Sequence, residues 1–234
     1  MASIIDDRGY NQGFERTKTF NIRIERRADL IISQMTKSDN TINVLEIGSG
    51  TGDISYFIAK KTKANVLGTD ICQPFIDGSN QEFSLPNLKY DILDFNHPEK
   101  LQGLKFDYIV GNGILHHLYY NLDSALINIR SLLKEDGKMI FMEPNIYNPY
   151  CFVIFNYARK WANLEPDEMA FSRVFITEKL QKAHYQQIEV SYKDYLLPNT
   201  PSFLVKPVIG IGDILEKIFP INRVTQSIFI CATK

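Results

Sequence analysis

Three glycines at alternate positions mark the part of this 234-residue chain that most clearly indicates a chemical function. Gly48, Gly50 and Gly52 follow a short apolar run that carries Glu46 near its end. Glycine permits positive φ and lets a ligand approach the bare backbone. A helix that begins after such a turn presents backbone N–H groups to the same ligand. The pattern therefore predicts a binding site for a small molecule in this turn.

The residue after the third glycine separates two kinds of nucleotide site. A dinucleotide-binding turn carries its third glycine at position 53, where this chain has Asp53. A carboxylate at the start of a helix repels a pyrophosphate, which argues against an NAD-linked oxidoreductase. Glu46, in contrast, would favour a cationic ligand. A glycine-rich turn that holds no ligand stays open as the plainer alternative.

The spacing Glu-x-Gly-x-Gly-x-Gly resembles motif I of the class I methyltransferases that depend on S-adenosylmethionine (SAM). The cofactor of that family has a cationic methionine tail and a ribose but no phosphate. The resemblance implies that SAM contacts the motif residues Glu46, Gly48, Ser49, Gly50 and Gly52. It covers about residues 42–143 by motif, and the rest of the chain by the order of its elements.

An acidic residue closes the second predicted strand, which spans 64–70. Asp70 stands where nucleoside-binding α/β folds place the carboxylate that accepts the ribose hydroxyls. We expect Ile71, its neighbour, to contact the cofactor as well. The alternative for Asp70 is a cap on the next helix, since Pro74 suits a first helical turn.

The third predicted strand, 87–92, ends in an acidic and an apolar residue. The resemblance implies that Asp91 meets the adenine amino group and that Ile92 packs against the adenine ring. Asp94 is the rival for the first of these roles.

A fourth predicted strand, 106–111, leads into Asn112-Gly-Ile-Leu-His-His-Leu118, which resembles the same place in many small-molecule methyltransferases. The resemblance implies that Asn112 and Gly113 face the methionine end of SAM. His116 and His117 are the candidates for a catalytic base, because a neutral imidazole accepts protons near pH 7. The two rings should point in different directions, so at most one should face the acceptor. The alternative is that both rings only pack against the strand.

The order of the predicted elements indicates the fold that must position these residues. Strand and helix alternate through the fifth strand, 138–143, which predicts a doubly wound parallel sheet. We expect an α/β, Rossmann-like fold with seven mostly parallel strands, an N-terminal helix and a helical cap insertion after strand 5. The whole chain, 1–234, is expected to be one domain. Its parts are an N-terminal helical segment, a cofactor-binding core, a cap with the last helices and strand 6, and the last strand (1–41, 42–143, 144–222 and 223–234).

The second half of the chain carries more apolar and aromatic residues than surface helices need. We predict an aromatic helix over 147–164, including Trp161, and an apolar helical stripe over 203–221. Both should lie near the edge of the sheet where α/β folds bind ligands, so we expect them to roof an acceptor pocket. The plainer interpretation of the stripe is a helix packed in the core, and the alternatives are contact with a membrane surface or with a second subunit. Tyr10 and Phe14 could line the cofactor pocket or only pack on the surface.

Composition excludes several classes of partner. The net charge of −1 gives no basic face for nucleic acid, and the proline-proline motif of DNA amino-methyltransferases is absent after strand 4. Three scattered cysteines form no CxxC pair, so neither a metal site nor a disulfide framework is expected, and the chain is expected to be cytoplasmic. The N-terminal residues lack the apolar region of a signal peptide, and no apolar run is long enough to cross a membrane.

These features together predict transfer of a methyl group from SAM to a small, largely apolar organic acceptor. The pattern leaves open whether oxygen, nitrogen or carbon is methylated, and it leaves the oligomeric state open. The alternative function is that of a SAM-binding partner or regulatory protein without catalysis.

Overall fold

Seven strands form one sheet in the order β3-β2-β1-β4-β5-β7-β6. The computed structural model describes residues 16–36, 41–160, 164, 168–197 and 200–234. The strands β1 to β7 are Asn43–Ile47, Asn65–Asp70, Leu88–Ile92, Phe106–Asn112, Leu133–Pro144, Gln186–Lys193 and Ser227–Thr233. Strands β1 to β5 are parallel, whereas β7 runs antiparallel to both β5 and β6. The doubly wound, mostly parallel sheet predicted from the sequence is thus confirmed.

Helices cover both faces of this sheet. The helices α1 to α7 are Lys18–Ser33, Asp53–Lys61, Gln73–Glu82, Leu122–Leu132, Pro149–Asn156, Arg173–Lys182 and Val205–Leu215. A short 3-10 helix, Leu115–Asn121, precedes α4. One apolar cluster lies between the sheet and α4 and α6, and a second lies between the sheet and α1, α2 and α3. Strand β1 is buried from Val44 to Ile47 because helices cover both of its faces.

Local hydrogen bonds set the helix ends in the second half of the chain. Helix α6 begins after Ser172, whose hydroxyl accepts a hydrogen bond from Phe175 N. The aromatic helix predicted over 147–164 ends at Asn156. At its end, the backbone N–H groups of Tyr157 and Ala158 both donate hydrogen bonds to the carbonyl of Val153.

Several predicted pocket residues lie outside the part of the chain that the structure describes. Trp161 is one, and Tyr10 and Phe14 are the others. Phe20 and Ile24 of α1 line a cavity at the carboxyl ends of the parallel strands. None of the described helices is both long and apolar enough to cross a membrane.

The apolar stripe predicted over 203–221 includes α7 but does not enter the core as one face. Val205 and Gly212 are the residues of α7 that are buried. Ile211 and Ile214 are 59% and 61% exposed, so a core-packing role for the whole stripe is wrong.

Candidate active site

A cavity of about 370 Å³ lies at the carboxyl ends of the parallel strands. Its wall comes from one face of α1 and from the turns that follow β1, β2, β3 and β4. The predicted site residues in this wall are Glu46, Gly48, Ser49, Gly50, Asp70, Ile71, Asn112, Gly113 and His117. The edge of the sheet thus brings together residues that are far apart in the chain, as expected for this kind of fold.

The glycine turn after β1 is shaped for a ligand at one position in particular. Gly50 has φ +51°, and a Cβ atom placed on it would meet no other atom within 4 Å. Gly48 has φ +66°, and its Cβ would lie 2.6 Å from the Ile114 side chain, so glycine is also needed here for packing. The buried hydroxyl of Ser49 has no hydrogen-bond partner among the described residues. An open glycine and an unsatisfied hydroxyl side by side suit a polar ligand such as SAM.

Gly52, predicted to contact the cofactor, lies outside the cavity wall. It has φ +78°, and a Cβ atom on it would come within 2.6 Å of Ser79 Oγ and 2.8 Å of the Tyr90 ring. Its carbonyl accepts a hydrogen bond from the Tyr90 hydroxyl at 2.6 Å. The structure therefore assigns Gly52 to the packing of α2 against α3 and β3.

Glu46 is a buried carboxyl group at the wall of the cavity, with 2% of its surface exposed. Its Oε2 accepts hydrogen bonds from the backbone N–H and the hydroxyl of Ser55. Burial raises the pKa of Glu46 to about 8, although the bonds from Ser55 act in the opposite direction. A cationic ligand in the cavity would favour the ionised form.

This linkage predicts how binding of SAM depends on pH. Below pH 8 the carboxyl group of Glu46 is mostly neutral, so binding of the cationic cofactor should release a proton. Affinity should then rise with pH by up to about tenfold per unit as the pH approaches 8. Calorimetry in two buffers of different ionisation enthalpy measures the proton release directly.

The Glu46→Gln variant is the control, because the amino group of SAM titrates in the same way in both proteins. We expect less proton release with Glu46→Gln. Equal release from the two proteins would contradict a direct role of Glu46 in the linkage.

Asp70 links the turn after β1 to the turn after β2. The ribose of SAM is predicted to lie in this part of the cavity. Its Oδ2 accepts from Gly50 N at 2.8 Å, and its Oδ1 accepts from Cys72 N at 2.9 Å. The N-cap residue of α3 is Cys72, so Asp70 is not the cap of that helix. The carboxylate holds the glycine turn and lines the cavity beside Ile71.

The two residues predicted to contact adenine lie outside the cavity wall. Asp91 is exposed, and neither Asp91 nor Ile92 lines the cavity. The strand ends at Ile92, and the chain then turns across the edge of the sheet, so Leu93 and Asp94 take their place in the wall. Asp94, which the sequence offered as the alternative to Asp91, is thus the acidic residue that lines the cavity after β3.

Asn112 is held by a buried arginine that the motifs did not indicate. Arg27 of α1 donates from Nη1 to Asn112 Oδ1 at 2.7 Å and from Nε and Nη2 to Asp194. Burial opposes the ionisation of Asp194, but the charges of Arg27 and Arg23 outweigh it and keep its pKa below the ordinary value. This network fixes Asn112 from behind, and Gly113 beside it completes the wall.

His116 is buried and lies between two carboxylates. Its Nδ1 is 2.9 Å from Oε2 of Glu143, and its Nε2 is 3.9 Å from Oε2 of Glu168. Glu143 also accepts hydrogen bonds from the backbone N–H groups of Ile114, Leu115 and His116. His116 does not line the cavity.

His117 lines the cavity, and its side chain is 37% exposed. Its Nδ1 lies 3.2 Å from Oε1 of the buried Glu168, and its ring lies 4.1 Å from that of His116. The two rings were expected to point in different directions, but both contact Glu168, and of the two it is His117 that lines the cavity.

The same cluster has the spacing of a small metal site. His116, His117 and Glu168 each offer one ligand atom, and these atoms all lie within 4.8 Å of one another. The sequence indicated no metal ligands. Glu143 could have been noticed as an acidic residue ending the fifth strand, but nothing in the sequence around Glu168 connects it with the histidines.

A family model described as a methyltransferase domain matches residues 45–139. A highly reducing polyketide synthase, easB of Emericella nidulans, is 30% identical over 182 residues, which are 70% of this chain and 7% of the relative. The chain thus spans less than a tenth of the length of this curated relative.

Solved structures share the fold at low sequence identity. A SAM-dependent methyltransferase from Archaeoglobus fulgidus superposes with a TM-score of 0.65 at 17% identity, covering 92% of this chain and 94% of that one. The CurJ carbon methyltransferase superposes with a TM-score of 0.63 at 19% identity, covering 94% of this chain and 56% of that one. Residues 45–139 thus match a methyltransferase domain, and the solved structures show that the chain has the fold of SAM-dependent methyltransferases.

Proposed function

We propose that this chain transfers the methyl group of SAM to a small, largely apolar acceptor whose methylated atom gives up a proton. The observation that carries the proposal is the imidazole of His117 in the cavity wall, 3.2 Å from the buried carboxylate of Glu168. An imidazole whose Nδ1 donates to a carboxylate is held in the tautomer in which Nε2 accepts protons. His117 is the proton acceptor in this proposal, and Glu168 orients it.

His116 has a different role in the same proposal. Both of its ring nitrogens face carboxylates, those of Glu143 and Glu168, so neither is directed at an acceptor. Its ring lies 4.1 Å from the ring of His117 at an angle of 36°, and it holds that ring and Glu168 in position. We therefore class His116 as a positioning residue.

Residues of segment 144–222, which we propose as a cap, contact the two histidines. Phe155 of α5 meets the His116 ring edge-on at 5.9 Å between centroids. Met169 N donates to the His116 carbonyl at 3.4 Å, next to Glu168. Segment 144–222 thus supplies apolar and acidic groups at the histidines, which supports an acceptor pocket roofed by this segment.

Carbon is the acceptor atom that we infer. A C–H group between carbonyls needs a base before it can take a methyl group, and the carboxylate-backed imidazole provides one. CurJ, whose fold this chain shares, is a carbon methyltransferase by name, and this favours carbon as the acceptor atom here. In the proposed step, the acceptor carbon loses its proton to His117, and the new carbon–carbon bond forms as the sulfur–methyl bond breaks. Alignment of carbon, methyl and sulfur contributes most of the remaining acceleration.

A matched set of acceptors tests the inferred carbon. The set comprises a short 3-oxoacyl thioester, the corresponding 3-hydroxyacyl thioester and an aliphatic amine of similar length. Methylation of the first at C2, detected by mass spectrometry with labelled SAM, is the expected result. Methylation of the hydroxyl group or the amine instead would contradict the choice of carbon, and tight SAM binding without transfer to any of a broad acceptor set would favour the non-catalytic alternative.

A further inference from the structure

The C-terminal segment 203–224 carries a row of large apolar side chains that are largely exposed in the described structure. Ile211 and Ile214 of α7, and Ile218 just after it, are spaced to share one helical face, and they are 59%, 61% and 42% exposed. Phe203 before the helix and Phe219 after it are 76% and 69% exposed. Soluble proteins rarely expose so many large apolar side chains together without a binding partner.

The charges of this segment are divided between its two sides. Asp213 forms an ion pair with Arg26 of α1 at 2.8 Å. Glu216 forms an ion pair with Lys193 of β6 at 3.0 Å and also accepts from the backbone N–H of Asp194. The acidic side chains of the segment are thus used to attach it to the body of the protein.

The basic side chains of the segment remain at its exposed side. Lys206, Lys217 and Arg223 are exposed, and none is paired with a carboxylate in the described ranges. The guanidinium of Arg223 lies 4.8 Å from the centre of the exposed Phe219 ring. An apolar row bordered by unpaired cations is the arrangement by which amphipathic helices bind anionic lipid surfaces.

We propose that segment 203–224 docks this protein on an anionic phospholipid surface. The apolar row would enter the boundary between headgroups and acyl chains, while Lys206, Lys217 and Arg223 meet lipid phosphates. A two-fold contact with a second copy suits the segment less well, because it would bring the same three cations together with no free carboxylate beside them. The chain just before the segment is attached to α1, since the Thr19 hydroxyl donates to the carbonyl of Thr200 at 2.8 Å.

A vesicle-binding experiment with the full chain tests the proposal independently of the acceptor. Flotation is measured with vesicles of phosphatidylcholine alone and with equal parts of phosphatidylcholine and phosphatidylglycerol. We expect binding to the second kind only, weakened by added salt. The double substitution Ile211→Ser with Ile214→Ser should lower the partition coefficient at least about tenfold, and Lys217→Gln with Arg223→Gln should lower binding and its salt dependence.

Ile127→Ser is the matched control, because Ile127 of α4 is also 59% exposed but lies on another element. Its binding should equal that of the unchanged chain, and thermal unfolding verifies that each variant is folded. Equal partition of the Ile211→Ser/Ile214→Ser variant and the unchanged chain would overturn the proposal. A dimer in solution that this double variant dissociates, without vesicle binding by either protein, would assign the surface to a second copy instead.

Discussion

The His117→Asn variant should transfer methyl groups about 10²–10⁴-fold more slowly than the unchanged chain while it binds SAM with nearly the same affinity. Asparagine keeps a polar group of similar size at the cavity wall but cannot accept the proton. The effect should therefore appear in single-turnover rates with the 3-oxoacyl thioester and not in the calorimetric affinity for SAM.

The two histidines serve as comparisons for one another. His116→Asn should lower the rate less than His117→Asn, because His116 faces two carboxylates and not the cavity. His97→Asn is the external control, since His97 is exposed on the surface and outside the cavity wall. A larger rate loss from His116→Asn than from His117→Asn would assign the base to the His116–Glu143 pair and contradict our choice.

Removal of metal ions distinguishes a base from a metal site in the same cluster. With His117 as a base, dialysis against a chelator should leave the rate unchanged. A loss of rate that a divalent ion restores would instead assign His116, His117 and Glu168 to metal binding, for which their ligand atoms are close enough. Glu168→Gln should slow the reaction in either case, so it does not decide between them.

The features predicted best from the sequence are those that depend on neighbours in the chain. The turn after β1 was predictable because glycine spacing and the change from strand to helix periodicity are local signals. Asp70 was predictable for the same reason, since it ends a strand whose position is set by its own apolar pattern. The sheet then brings these local sites to one edge, because the ends of parallel strands meet there.

Residues whose roles depend on distant contacts were not predictable in this way. Arg27 reads as part of the polar face of an amphipathic helix, yet it is buried against Asp194, 167 residues away in sequence. Glu168 lies in the second half of the chain, where simple alternation of strand and helix ends. Asp91 and Ile92, predicted to contact adenine, lie outside the cavity wall that Leu93 and Asp94 line, because the resemblance fixes a strand end but not the turn after Ile92.

Gly50→Val should weaken SAM binding at least about 100-fold with little loss of fold stability beyond the strain of its backbone. The structure has room for the side chain, since a Cβ at this position meets nothing within 4 Å, but that room is the cavity itself. The left-handed backbone at φ +51° adds a cost of roughly 1–2 kcal/mol for a residue with a Cβ. Calorimetric titration with SAM and thermal unfolding measure the two effects separately.

Substitutions at two further glycines distinguish the loss of space for the cofactor from the effects of backbone strain and of disturbed packing. Gly103→Val carries the same kind of strain, with φ +86° and open space around its Cβ, but lies outside the cavity wall, so SAM affinity should be unchanged. Gly52→Val should instead lower the melting temperature more than either, because its Cβ would lie within 3 Å of Ser79 and Tyr90. If Gly50→Val binds SAM as tightly as Gly103→Val does, the open space at Gly50 does not hold the cofactor. SAM would then bind at another part of the cavity.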